Sequence, residues 1–455
     1  MGTVVEQPRA RLRPYLWLIF SVAGFAGISY GVGDQILQRL ASLEDAPTAP
    51  VLAALVLFAV CSFISFHATR GTPLPSFVVA IALGVAGHTL FAPIVANPVA
   101  LASLVTASAA IILFSGGVEM PLKDFWRLFV KIALLALPGV LITGFAFSWV
   151  VGRIGGGFGV ALAAPVVILL GAILASTDPA AIIPVLQDVR FKRRTAKDIV
   201  VAESALNDVA GSLLTSAFLK LSLVGLTVTT AYRALATPGT YRFLGEQVGF
   251  GVLFGIGGFL LLWLLTHVKR GHAARYGADQ VYFLAAPIIA FVGAAVFGGS
   301  GFLAAFVAGL LFDVEEHMKE IEHFFYQVID GVAKPVIFLL VGALVDVRAL
   351  IAYAPLGIAA ALVFMFILRP AMVFLMIGVF GFVRGGRGLS WRELLFISFV
   401  RETGAIPAVL LVTAVSRMTT PVHGLVEIGM WVILLTLIIA PPLTPWVARK
   451  LGVAS

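Results

Sequence analysis

The stretch Ile199-Val-Val-Ala-Glu203-Ser204-Ala-Leu-Asn207-Asp208-Val-Ala-Gly211-Ser212 decides how the chain is to be read. Glu203, Ser204, Asn207, Asp208, Gly211, Ser212 and, one turn further, Thr215 recur at helical spacing. They form one polar stripe on a helix that is apolar everywhere else. Counted from Ile199, where the apolar run begins, a rise of about 1.5 Å per residue carries Asp208 about 14 Å along the axis. In a helix that spans a bilayer, that depth is the middle. A polar seam between packed helices ordinarily uses Ser, Thr and Gly. Two carboxylates exceed that need, and an acid at this depth points to an ion or proton site.

The rest of the chain supplies the membrane. Of its 455 residues 60% are hydrophobic and 12% charged, against about 25% charged in an average soluble domain. This composition excludes a soluble enzyme, a disordered chain and a nucleic-acid binder. The single cysteine, Cys61, excludes a disulfide within the chain and a Cys-based zinc site. Runs of about 20 apolar residues predict spans at 15–33, 50–69, 76–96, 99–119, 130–152, 160–186, 199–226, 243–268, 281–297, 299–313, 324–347, 355–380, 393–415 and 424–446. Of the 31 Lys and Arg, 21 then fall in inner loops and tails, 6 in outer loops and 4 within spans. That asymmetry predicts two cytoplasmic termini and assigns the net charge of +8 to cytoplasmic loops. No A-x-A-like cleavage site follows 15–33, so it reads as an uncleaved helix. The loops are too short to fold alone, so function is expected within the membrane.

Two spans contain breaks. Ser176-Thr177-Asp178-Pro179 is a helix-start signature set deep in a span, with Asp178 as cap and Pro179 at the first helical position. Two half-helices meeting inside the membrane explain it better than a simple proline kink. The second break is Arg401-Glu402-Thr403-Gly404-Ala-Ile-Pro407. The broken spans are the sixth and thirteenth, so they cross in opposite directions, as in an inverted repeat around a midplane site. The expected fold is an all-α polytopic membrane protein of 13–14 transmembrane helices. It contains two inverted six-helix repeats with crossing broken helices. Residues 1–49 form the N-terminus and an extra first helix, 50–226 the first repeat, 227–280 a linker helix, and 281–455 the second repeat and a short tail. At the breaks, Asp178 can offset a positive half-helix end in its repeat; Arg401 and Glu402 can offset a negative and a positive end in theirs. Arg369 lies mid-span and needs an acid, for which Glu203 is the candidate. Lys220, Asp330 and Lys334 read as snorkelling or structural pairs, and His88 as a packing residue.

Glu203-Ser204-Ala-Leu-Asn207-Asp208 resembles the E-S-x-L-N-D motif of sodium/proton exchangers in the cation:proton antiporter superfamily. Ser176-Thr177-Asp178-Pro179 resembles the S-T-D-P break that precedes it. Leu113-Phe-Ser-Gly-Gly-Val-Glu119, Ile337-Phe338-Leu339 with Val341-Gly342, and Ile367-Leu-Arg369 resemble further stretches, so the likeness covers about residues 50–446. It implies that Asp208 alternately holds a proton or a cation, with Thr177, Ser204 and Glu203 helping to bind the cation or position water. It implies that Asn207 marks the electroneutral branch, that Arg369 pairs with Glu203, and that the protein is a homodimer. Two departures stand out: the family's frequent R-G-A-I is Thr403-Gly404-Ala405-Ile406 here, with Arg401 two residues earlier, and the first span is extra to a thirteen-span plan.

Elementary chemistry agrees with the resemblance. Na⁺, Li⁺ and K⁺ are hard cations that take carboxylate, hydroxyl and carbonyl oxygens, here at Asp208, Ser204 and Thr177. Partial desolvation raises a carboxylate's pKa, so protons and cations compete near neutral pH. The expectation is electroneutral exchange of one monovalent cation for one proton, with no cofactor and no nucleic-acid partner. The expected location is the inner membrane of a bacterial or archaeal cell. A K⁺/H⁺ exchanger or K⁺ efflux transporter is the alternative, and an organic-anion symporter of similar fold a distant one. An ion channel fits two opposed breaks less well. A hydrolase using Ser204 lacks a histidine at helical spacing.

Overall fold

A computed structural model describes residues 12–42, 48–69, 75–177, 186, 189–193, 195–221, 223–269, 279–312, 319–379, 389–418 and 422–454. Among them the regular structure is helical, apart from one isolated bridge between Phe191 and Ala454. The first half runs α1 (Leu12–Ala41), α2 (Ala49–Ala68), α3 (Ser76–Ala86), α4 (His88–Val95), α5 (Pro98–Val118), α6 (Leu122–Ala136), α7 (Pro138–Gly157), α8 (Ala164–Leu174) and α9 (Thr195–Lys220). The short α10 (Val228–Ala234) and the long α11 (Pro238–Lys269) follow. The second half runs α12 (Asp279–Val296), α13 (Gly301–Leu311), α14 (Lys319–Val328), α15 (Lys334–Ala343), α16 (Val347–Ala352), α17 (Ala354–Val363), α18 (Arg369–Val373), α19 (Trp391–Phe399), α20 (Ala405–Arg417) and α21 (Leu425–Lys450).

Among the described residues every predicted span overlaps helix. Among the same described residues eight helices are long and apolar enough to cross a membrane, or nine if α3 and α4 count as one span. Shorter apolar helices occupy α8, α12, α13 and α20. The helix α9 is not in either group, because its polar stripe lowers its hydropathy. The protein is therefore an all-helical integral membrane protein.

Glycine sets the closest helix crossings. A Cβ on Gly84 of α3 or Gly342 of α15 would strike the facing helix's backbone, as would one on Gly117 of α5 or Gly309 of α13. Small residues let backbones touch where no water drives helices together. The two crossings are related. Exchanging each span of the first half with the span seven later turns α3–α15 into α13–α5. The same exchange turns α6–α9 into α17–α21, and α9–α20 into α21–α8. The helices α8, α9 and α20 lie at the centre. Around them α1, α2 and α11 are peripheral, with 17%, 22% and 22% of their apolar windows buried.

Four spans depart from the expected continuous helices. The third span, expected to be continuous, bends by 87° between α3 and α4. Its hinge is Gly87, where a Cβ would sit 2.5 Å from the Phe25 ring of α1. Only a residue without a side chain leaves room for that ring in the elbow. His88, just past the elbow, holds its Nδ1 2.8 Å from the Ala343 carbonyl of α15, a satisfied packing histidine. The fifth span starts earlier than expected, as α6, and kinks into α7 at Pro138, which cannot donate to the preceding turn. Phe125, Leu128, Ile132 and Leu135 are buried along α6, while Lys123, Asp124 and Arg127 lie on its open side, so α6 is amphipathic. In the eleventh and twelfth spans, Ile329–Ala333 and Phe364–Leu368 form wide π turns, each followed by a basic residue and a proline, Lys334-Pro335 and Arg369-Pro370. A proline ring clashes with the carbonyl four residues back, and a widened turn relieves that clash.

Candidate ion-binding site at the crossing of two broken spans

The site is built where both breaks meet α9. The first broken span stops as helix at Leu174, and Ala175, Ser176 and Thr177 continue non-helically. Asp178 and Pro179, predicted as the cap and first residue of its second half, lie outside the described residues. The second broken span is α19 and α20, separated by Val400–Gly404. The helix α9 crosses the first break at Gly211, where a Cβ would sit 2.9 Å from that of Ser176. The stripe of α9 thereby faces the freed backbone.

Glu203, Asn207, Asp208, Ser204 and Thr177 are all at most 3% exposed. Arg369 donates from Nη1 and Nη2 to the two carboxylate oxygens of Glu203, each at 2.6 Å. The parallel two-bond geometry is the strong form of an arginine–carboxylate contact. Asn207 lies between: its Nδ2 donates to Glu203 Oε1 and, at 3.0 Å, to Thr177 Oγ1. A carboxylate paired with arginine can only accept, which fixes the amide's orientation. Asn207 Oδ1 therefore points the other way, buried and with no hydrogen bond. It is an acceptor oxygen adjacent in sequence to Asp208, which is fully buried.

Arg401, expected at the end of its own broken helix, serves the other one. Its Nη2 donates to the carbonyls of Leu174 at 2.9 Å and Ala175 at 3.1 Å, the negative end of α8. Its guanidinium also lies 4.0 Å from the centre of the Phe364 ring, a cation–π contact. The breaks thus meet through Arg401, which reaches from the second broken span to the helix end of the first. Glu402 and Thr403 are buried beside it, and the Thr403 amide donates to Thr436 Oγ1 at 3.1 Å. The Lys334 ammonium is 2.7 Å from Asp330 in the preceding π turn. Lys220 stands 4.1 Å over the Phe243 ring.

Phe364 and Thr436 were not expected. A phenylalanine in an apolar span carries no signal of its own. Thr436, a lone hydroxyl amid Leu434-Leu435 and Leu437-Ile438, does carry one. Among the described residues at the crossing, three acids, Glu203, Asp208 and Glu402, face two arginines, Arg369 and Arg401. Among these described groups the acids outnumber the arginines by one.

Residues 51–450 match the family model described as "Sodium/hydrogen exchanger, transmembrane". The chain is 30% identical over 375 residues to a K(+)/H(+) antiporter NhaP of Alkalimonas amylolytica, covering 79% of this chain and 59% of that protein. It is 27% identical over 376 residues to the K(+)/H(+) antiporter NhaP2 of Shewanella oneidensis, covering 79% and 60%. The chain thus spans about three-fifths of the length of these relatives. The fold matches the sodium proton antiporter MjNhaP1 of Methanocaldococcus jannaschii with a TM-score of 0.67 at 21% identity, over 88% of this chain and 98% of that one.

Proposed function

The chain belongs to the sodium/hydrogen exchanger family, and from that membership we infer that it is a secondary transporter exchanging a monovalent cation for H⁺ across a cell membrane. The observation that carries the reading is Asp208, fully buried on α9 at the crossing of both breaks and next in sequence to Asn207, whose buried Oδ1 makes no hydrogen bond. Asp208 holds either a proton or a cation. Asn207 Oδ1, Ser204 and Thr177 add the neutral oxygens a hard cation needs. Glu203 keeps its charge because Arg369 grips it twice, and it holds the Asn207 amide in place. Arg401 offsets the end of α8, so the break stays open without attracting a second cation. Asp178, outside the described residues, is assigned to the positive end of the following half-helix, with Pro179 as its first residue.

Exchange needs only that the two occupants compete for one acid while the site faces each side in turn. The recurrence of helix pairs on exchanging the two halves supports a division into inverted repeats at 50–226 and 281–446. The excess of basic residues in alternate loops supports cytoplasmic termini. A homodimer in the inner membrane of a prokaryotic cell completes the proposal.

Na⁺ is the first substrate, with Li⁺ beside it. The names of the NhaP and NhaP2 relatives favour a second reading, K⁺/H⁺ exchange, and the same oxygen ligands serve it. Proteoliposomes loaded with a pH-sensitive dye decide between them. Addition of Na⁺, Li⁺ or K⁺ should release protons for at least one ion with the wild type and for none with Asp208→Asn. Cation-driven proton movement at wild-type rate in Asp208→Asn would overturn the assignment.

A further inference from the structure

At one end of the molecule three segments distant in sequence meet. The last helix, α21, closes with Gly452 N–H donating to Arg449 O at 2.9 Å and Val453 N–H to Ala448 O at 3.0 Å. This pair of hydrogen bonds, with Gly452 at φ 68°, is a left-handed helix stop. The chain then turns back against the loop that leads into α9. Lys192 N–H donates to Val453 O at 3.0 Å, and Phe191 bridges to Ala454. The third segment is the start of α19. The Phe191 and Phe396 rings are 5.4 Å apart, and Arg193 is 3.6 Å from Glu393.

These segments, 189–193, 390–393 and 446–454, hold six basic residues and one acidic one. The acid, Glu393, is buried and already engaged by Arg193 and by the Ser390 amide and hydroxyl. Two cations converge on the turn: Arg392 Nη1 and Lys192 Nζ lie 3.5 Å and 3.9 Å from where a Cβ on Gly452 would stand. The glycine leaves that point open. Around it are two exposed indoles, each with a cation: Arg392 is 5.6 Å from the Trp391 ring centre and Lys450 4.6 Å from that of Trp446. Exposed tryptophans mark the level of lipid headgroups, and basic clusters there attract anionic lipids.

We propose that the phosphate of an anionic phospholipid binds over Gly452 between Lys192 and Arg392, with its glycerol and acyl chains beside Trp391. The bound headgroup ties together the segment entering α9, the segment entering the second broken span, and the end of α21. An anion there also relieves the repulsion between the converging cations.

The test uses the purified full chain in detergent, titrated with phosphatidylglycerol, phosphatidylcholine or inorganic phosphate and followed by native mass spectrometry and thermal melting. Phosphatidylglycerol should be retained and should raise the melting temperature of the wild type, while phosphatidylcholine and phosphate should not. Each charge near an anionic lipid is worth about five-fold in affinity. Lys192→Gln should therefore weaken phosphatidylglycerol retention about five-fold, and Lys192→Gln with Arg392→Gln by well over ten-fold. The single variant decides the matter if the double variant does not fold. Arg153→Gln, which removes the cation over Trp149 on α7, should leave retention unchanged. Retention equal to wild type in Lys192→Gln, equal stabilisation by phosphatidylcholine, or protection by inorganic phosphate alone would each overturn the lipid site.

Discussion

Asn207 shows how much one amide can organise. Its nitrogen is held by two acceptors, so its oxygen is left for a third party. Replacing it by Asp puts a second carboxylate beside Glu203 and Thr177, where the amide donor used to be. Two acids sharing one site cannot both ionise freely, and one is driven to hold a proton. Asn207→Asp should thus make exchange sensitive to membrane potential, or stop it if the site rejects the charge. Unchanged, potential-insensitive exchange in that variant would mean Asn207 is not at the site. Arg369 makes a separate prediction. Removing one partner of a buried ion pair costs about 3–5 kcal/mol, because the other charge stays behind. Arg369→Ala should lower the melting temperature in detergent strongly, and a melting curve like wild type would show that the Glu203 contact carries no stability.

Elements, rather than single side chains, decide where the breaks meet. The carbonyls at the end of α8 are covered by an arginine from the second break, so one broken span holds an end of the other. Arg401→Gln keeps some hydrogen bonding but loses the charge against the dipole, and it should slow exchange more than it lowers melting. Equal effects on both would assign Arg401 to packing alone. The glycine crossings belong to this scale too. A methyl at Gly309 would meet the Phe114 backbone, while one at Gly257 on α11 meets nothing within 4 Å. Overpacking costs about 1–3 kcal/mol or more where backbone must move. Gly309→Ala should therefore lower the melting temperature and Gly257→Ala should not, as differential scanning fluorimetry can read.

For the whole molecule the deciding quantity is charge. If Glu203 stays ionised under Arg369, Glu402 stays ionised beside Arg401, and Asn207 cannot titrate, Asp208 is the one described group at the site whose occupancy changes. It crosses as an acid in one direction and as a cation–carboxylate pair in the other, with the same net charge. A potential of 100 mV shifts energy by about 2.3 kcal/mol only when a charge moves. Exchange of Na⁺ should therefore ignore a potassium diffusion potential set with valinomycin. Sustained substrate-induced currents on a solid-supported membrane would mean that a second group titrates.

The sequence by itself determined the solvent, the spans and the positions of the irregularities. Apolar length, charge depletion and Pro–Gly interruptions are properties of windows of about twenty residues, and a bilayer imposes them on each helix separately. It also determined that a mid-span arginine must find an acid. For Arg369, Glu203 is the candidate in the sequence and the pair forms as expected, but the contact itself is tertiary: the two residues are 166 apart in the chain and meet only because of how the helices cross. The same holds for Arg401, whose partners lie 226 and 227 residues away on the opposite break rather than on its own. The elbow at Gly87 was equally hidden. A glycine inside an apolar run reads as a tolerated residue until Phe25, from another helix, occupies the space it leaves. Contacts of this kind depend on which backbones approach closely, and no local pattern in the sequence encodes that.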